Sequence, residues 1–247
     1  MNRLLVSVAV GGLVAVTACA EGATTSTVFV SAAASLTDAF AEMEDVFESA
    51  NPGVDVVVNL AGSATLREQI LDGAPVDVFA AANESTMTEV VTAGRAASAP
   101  VVFARNRLQI AVPLGNPGAV TALSDFADDG LLIGLCAEGV PCGDLARQAL
   151  QAAGVVPSID TSETDVRALL TKLEEGEIDA GIVYVSDVAA AGGAVESIDF
   201  GGASGFVADY PIVVMESAPN PDGAATFMDF VLSETGQRIL AEHGFLH

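Results

Sequence analysis

Basic residues are scarce in this 247-residue chain: nine lysines and arginines stand against 33 aspartates and glutamates, a formal net charge of −24. Nucleic acid is therefore excluded as a partner, because a phosphate backbone is held by clustered positive charge. The same acidity raises solubility and suits a salty medium, and it carries no information about fold. Histidine is scarcer still, with only His243 and His247, both at the chain end. They do not supply the ligand set a protein metal site requires, and neither sits in a motif that would orient it as a catalytic base. Internal repeats, low-complexity tracts and long linkers are absent, and only one long apolar run occurs, at the N-terminus.

That run has a recognisable order. Arg3 and the amino terminus give a small positive end, residues 4–16 an apolar stretch, and Val16-Thr17-Ala18-Cys19 a small residue followed by a thiol. It resembles a lipoprotein signal. The expectation is that residues 1–18 are removed, that Cys19 carries the lipid, and that 19–26, small and polar, form a tether. The protein would then be exported and anchored to the outer face of the cytoplasmic membrane by Cys19. An uncut anchor is the other reading, but about 20 apolar residues are needed to cross a bilayer and this run is shorter. With Cys19 so assigned, Cys136 and Cys142 remain, in Cys-Ala-Glu-Gly-Val-Pro-Cys. In an exported protein a disulfide closing this loop is the natural reading, and two buried thiols are the alternative.

Short apolar runs alternate with amphipathic stretches. Strands are expected at 27–30, 54–58 and 76–80, with helices at 36–49, 65–71 and 85–93 between and after them. A second set has strands near 108–112, 131–135 and 180–184 and helices near 144–152 and 165–174. The rhythm predicts an α/β layered fold with a mostly parallel sheet. A strand at 210–215 and helices at 222–232 and 235–243 close the chain and are expected to return to the first set. Without a linker, two lobes must be joined by crossing strands, expected at 103–112 and 209–213. This divides the mature chain into lobe 1, residues 27–105 plus 212–247, and lobe 2, residues 106–211.

Four segments place a small or hydroxyl residue where a loop becomes a helix: Ser35-Leu36-Thr37-Asp38, Gly62-Ser63-Ala64-Thr65, Val140-Pro141-Cys142-Gly143-Asp144 and Glu163-Thr164-Asp165-Val166-Arg167. The first two read as helix caps. Each exposes free backbone N–H groups at the positive end of a helix dipole, where anions bind, although one such start is far more often an ordinary cap.

Together with Ala32-Ala33-Ala34, Gly73-Ala74-Pro75-Val76-Asp77-Val78-Phe79, Gly181-Ile182-Val183-Tyr184 and the ending Gly244-Phe245, these segments run in order from about Val28 to Phe245. In that combination the chain resembles the molybdate-binding proteins of ABC importers. The resemblance implies a two-lobe periplasmic-binding-protein fold of type II, with mixed, mostly parallel sheets and the ligand in the interlobe cleft. It implies a monomer that delivers molybdate, and also tungstate, to a membrane permease, with no cofactor. The metal would be held only as its oxyanion, without a direct protein–metal bond. In that family two serine hydroxyls, main-chain N–H groups and one tyrosine hydroxyl hold the ion, and these fall on Ser35, Ser63, Cys142, Val166 and Tyr184. The family often has alanine where this chain has Cys142; a main-chain contact is unaffected by that change.

The chemistry suits such a ligand. A fully ionised tetrahedral dianion needs only donors, and hydroxyl and N–H groups provide them. Protonated phosphate would be turned away, because its own O–H needs an acceptor that these five positions lack. No basic residue is among the five, so helix dipoles and fixed neutral donors must offset the lost hydration. Arg67 and Arg167, close to two of the contacts, are expected to form surface ion pairs, and Asp77 to cap or brace the first lobe. With only two tyrosines, the second being Tyr210 beside Pro211, a ferric-ion carrier of the same broad fold is disfavoured. An exported hydrolase built on Cys142 and His243 would need a free thiolate, which a disulfide removes. A surface adhesion module would not need four aligned helix starts. Among oxyanions tungstate matches molybdate too closely to be told apart, and sulfate, being smaller, would be reached poorly.

Overall fold

A computed structural model describes residues 26–246. The signal, Cys19 and the tether up to residue 25 lie outside the described residues, as does His247.

Strand β1 (Ser26–Ala33) is buried along its second half and lies parallel to β2 (Val54–Ala61) on one side and β3 (Val78–Ala80) on the other. Helix α1 (Thr37–Ala50) makes the first crossover because Ala39, Phe40, Met43 and Phe47 recur three and four residues apart and form one buried face. Phe40 and Phe47 meet Phe227 edge to face, and Phe40 meets Phe103 in the same way. Helices α2 (Ser63–Leu71) and α3 (Glu84–Thr92) cover the other side of this half over a small separate core that includes Leu66, Phe79 and Val213.

The second half repeats the device. Strand β5 (Ile133–Cys136) pairs in parallel with β6 (Thr161–Glu163) and β7 (Ala180–Tyr184), connected through α4 (Pro141–Ala152) and α5 (Val166–Glu174). Helix α6 (Val185–Ala190) follows β7 directly, and β8 (Val195–Ile198) adds antiparallel to β4 (Val101–Pro113).

Two long strands join the halves. Strand β4 (Val101–Pro113) pairs through Arg107 with β9 (Val207–Val214), then through Leu108–Ala111 with β7, while β9 continues onto β3. The strand order is β2-β1-β3-β9-β4-β7-β5-β6. The sheet is therefore parallel within each half and antiparallel wherever β4 or β9 takes part, a larger antiparallel share than the strand–helix rhythm suggests. Both expected crossing segments lie in these two strands.

Helices α7 (Pro221–Leu232) and α8 (Glu234–Glu242) return to the first half, where α7 packs on β1 and β9 and α8 on α1 and β4. The end is tied down by paired backbone bonds between Arg105 and Leu246, both 2.8 Å. Strand β3 starts at Val78, two residues later than expected; Asp77 just before it acts as a brace, its carboxylate accepting from Phe29 N at 2.8 Å and Asn220 N at 2.6 Å. Strands β6 and β8 and helix α6 were not expected. The first is short and polar, the second carries only two apolar residues, and the third begins on the residue after a buried strand with no breaker between them.

Candidate functional site

The first turns of α2, α4 and α5, the turn after β1 and the end of β7 converge on one narrow cleft. Ser35, Ser63, Cys142, Val166 and Tyr184 all line it, together with Gly62, Ala82, Pro141 and Asp165. The five positions expected to contact a ligand thus line one cleft, while Cys19 lies outside the described residues. The cleft holds about 220 Å³ of atom-free space counting its open mouth, and the centre of a water molecule has about 10 Å³ in which to move. Larger hollows, with about 670 and 980 Å³ of atom-free space, lie elsewhere and touch none of the five. A space this tight has room for the centre of about one water and is far below the size of pockets that take drug-sized organic ligands.

Ser35 sits in the 3-10 turn Ala34–Leu36 that leads into α1, and it is 4 % exposed. It is not the cap the sequence suggests: α1 has no side-chain cap, and the Ser35 hydroxyl lies 2.8 Å from the Tyr210 hydroxyl. Burial pushes the Tyr210 phenol well above its ordinary pKa, so it stays protonated. When Tyr210 donates its proton to Ser35 Oγ, the serine's own proton is left for the cleft. Ser63 is likewise not a cap but the first residue of α2, after Gly62. Its oxygen accepts from Ala82 N at 3.0 Å, which occupies one of its two lone pairs and leaves its proton available for donation.

Helix α4 starts with Pro141 behind Val140, and neither offers a side-chain cap. The next N–H groups, of Cys142 and Gly143, have no carbonyl one turn behind them. A disulfide between Cys136 and Cys142, across a separation of six residues, ties this start to the end of β5. Gly143 is required by packing, since a Cβ there would lie 2.2 Å from the Ala137 carbonyl oxygen. In α5 the Asp165 carboxylate caps the Ala168 N–H at 2.9 Å, which leaves the Val166 N–H at the cleft. Asp165 therefore brings a carboxylate to the wall that the sequence reading did not place there.

Tyr184 closes the cleft from the end of β7. Its ring packs edge-on to Tyr210 at 6.1 Å, and its hydroxyl is fully buried, with no partner at full hydrogen-bond distance among the described residues but with the Tyr210 hydroxyl close enough to interact. Burial is the largest cause of its raised pKa, followed by the Tyr210 hydroxyl and the Asp187 carboxylate. A neutral phenol here has a proton to donate, and a buried hydroxyl left without a full hydrogen bond costs up to about 1–3 kcal/mol.

Among the described residues no arginine or lysine lines the cleft. Arg67 pairs with Glu68 and, at 3.0 Å, with Glu89, as expected of a surface cation. Arg167 does more than the surface pairing expected of it. It binds Asp38 of α1, in the other half, and lies 3.7 Å from the fully buried Asp187. Asp187 accepts from Tyr184 N at 3.0 Å, and burial, only partly offset by Arg167, pushes its pKa up to about 7. Sequence reasoning missed Asp187, Tyr210 and the close approach of Gly62 described below. For Tyr210 a signal existed, since it is one of two tyrosines and lies on a crossing strand; for the others none did.

A family model described as bacterial extracellular solute-binding protein matches residues 28–246. The molybdate-binding protein ModA of Mycobacterium tuberculosis is 37% identical over 225 residues, covering 91% of this chain and 85% of that protein. Among solved structures, a periplasmic molybdate-binding protein from Azotobacter vinelandii superposes with a TM-score of 0.78 at 19% identity, over 89% of this chain and 99% of that one. The sulfate-binding protein SubI from Mycobacterium tuberculosis superposes with a TM-score of 0.75 at 18% identity, over 89% and 86%. At such identities the two structures speak for the fold alone.

Proposed function

The chain belongs to the bacterial extracellular solute-binding protein family, and from that premise we propose that it captures molybdate outside the cytoplasmic membrane and delivers it to the permease of an ABC importer. The observation that carries the reading is the buried Tyr184 hydroxyl, without a partner at full hydrogen-bond distance among the described residues, in a cleft that also holds the Ser63 hydroxyl, which accepts from Ala82 N, and the Ser35 hydroxyl, which shares a hydrogen bond with Tyr210. Five ligand contacts follow: the hydroxyls of Ser35, Ser63 and Tyr184, and the main-chain N–H groups of Cys142 and Val166. All five donate, which matches an ion that only accepts. The molybdenum is held within its oxyanion and makes no bond to the protein. Fixed donors and three helix starts replace the hydration shell, so no cation is needed at the wall.

The lobes of this reading are residues 27–105 plus 212–247 and residues 106–211, with β4 and β9 as the hinge. Ser35 and Ser63 belong to the first, and Cys142, Val166 and Tyr184 to the second. Lipidation of Cys19 holds the monomeric protein at the membrane, and catalysis forms no part of the role. Tungstate binds equally well in this account. Sulfate is the rival, since its carriers share the fold. Titration calorimetry of the mature protein with molybdate, tungstate, sulfate and phosphate decides between them. Tight binding of the first two, and at least about hundredfold weaker binding of sulfate, is expected from two or more misplaced charge-assisted bonds at roughly 1.5–3 kcal/mol each. Equal affinity for sulfate overturns the molybdate assignment.

A further inference from the structure

Gly62 precedes α2 on one wall of the cleft, and Thr164 and Asp165 precede α5 on the opposite wall. A Cβ on Gly62 would lie 2.5 Å from the Thr164 carbonyl oxygen and 3.3 Å from Asp165 Cβ. The first contact is impossible for a real Cβ, and because the obstacle is main chain it cannot rotate aside. Nothing local asks for glycine: φ is −57° and ψ is 136°, an extended conformation open to every L-residue. The demand for glycine therefore comes wholly from the other half of the molecule. The neighbours on either side of the contact are Ser63 and Val166, both on the cleft wall.

We propose that Gly62 is a specificity-determining residue, the stop against which the cleft closes: its bare backbone lets the α2 and α5 starts approach until they meet at Thr164, and that contact sets the spacing of the donors around the oxyanion. This rests on the oxyanion reading above. A methyl group at 62 holds the walls at least about 0.5 Å farther apart, because a Cβ does not come within 3.0 Å of another atom. Hydrogen bonds reaching an ion from both walls then lengthen together, and donor constellations tolerate about 0.5 Å before they fail. A smaller ion suffers more, since it has less reach to lose.

The test is Gly62→Ala, with calorimetry for molybdate and sulfate and thermal unfolding without ligand, beside the parent. The expected result is a ligand-free melting temperature equal to or above that of the parent, because opening about β4 and β9 relieves the clash and alanine restricts the unfolded chain. Molybdate binding should weaken at least tenfold, and sulfate binding by as large a factor or larger. Weakening of less than tenfold, a gain in relative sulfate affinity, a fall of several degrees in the ligand-free melting temperature, or failure to fold each overturns the proposal. The last two would make Gly62 a requirement of the fold rather than of closure. A parent that binds neither ion overturns the oxyanion reading instead, so the two failures are told apart.

Discussion

Replacing Tyr184 by phenylalanine separates a ligand-binding hydroxyl from a structural one by the sign of two effects. The ring is retained, with its edge-on contact to Tyr210 at 6.1 Å, so packing is unchanged. The group removed is a fully buried hydroxyl with no partner at full hydrogen-bond distance among the described residues, and leaving such a group incompletely paired costs up to about 1–3 kcal/mol. In ligand-free protein the substitution should therefore stabilise, and at about 2–4 °C per kcal/mol for a chain of this size the melting temperature should rise by a few degrees. In the complex the same substitution removes one donor to a dianion, worth about 1.5–3 kcal/mol, which weakens molybdate binding roughly 10- to 150-fold. Differential scanning calorimetry without ligand and isothermal titration with molybdate read the two quantities. The combination of higher ligand-free stability and lost affinity is expected only of a donor held in readiness for something outside the chain. A variant that loses stability and binds like the parent would refute the reasoning, because the hydroxyl would then serve the fold.

Ser35→Ala and Ser63→Ala should each weaken molybdate binding by about 1.5–3 kcal/mol, and Ser63→Ala should also lower stability, since the Ala82 N–H loses its acceptor; titrations of both variants showing parental affinity would place the ligand elsewhere. Tyr210→Phe should weaken binding in the parent but add little to Ser35→Ala, because it acts by fixing that hydroxyl; additive losses in the double-mutant cycle would contradict this. Replacing Cys136 and Cys142 together by alanine opens a small loop and should cost about 2 kcal/mol in denaturant unfolding while leaving the ranking of oxyanions unchanged. Asp187 titrates near 7 when folded against an ordinary 3.8, so its protonated form contributes stability that is complete below about pH 4 and is lost as pH rises through 7. Asp187→Asn should remove that loss, gaining on the parent between pH 4 and pH 8 in urea titrations, and a parent-to-variant difference that stays constant over that range would show that Asp187 does not titrate there.

Most of the framework was legible because it rests on periodicity. The buried spacing of Ala39, Phe40, Met43 and Phe47 marks α1, and the unbroken apolar text of Ala180–Tyr184 marks a strand buried on both faces. The grouping of the five cleft-lining positions was legible only through a combination of short motifs, since each helix start alone is an ordinary turn. Their hydroxyls were misread locally: Ser35 and Ser63 look like caps, and three-dimensional contacts with Tyr210 and Ala82, 175 and 19 residues away, give them other partners. The same limit hid Asp187, whose perturbation comes from burial and from Arg167, and Gly62, whose constraint is a carbonyl across the cleft. No window of sequence contains either cause.

The central claim is that one oxyanion sits among five donors in this cleft and that its metal is bonded to no protein atom. A crystal structure of the mature protein with molybdate, with anomalous data collected at the molybdenum edge, tests it most directly. The account predicts a single strong peak between Ser35, Ser63, Cys142, Val166 and Tyr184, surrounded by four oxygens of its own, with the Gly62 and Thr164 main chains in contact beside it. A peak outside the cleft, or one bonded directly to a carboxylate such as Asp165, would contradict it.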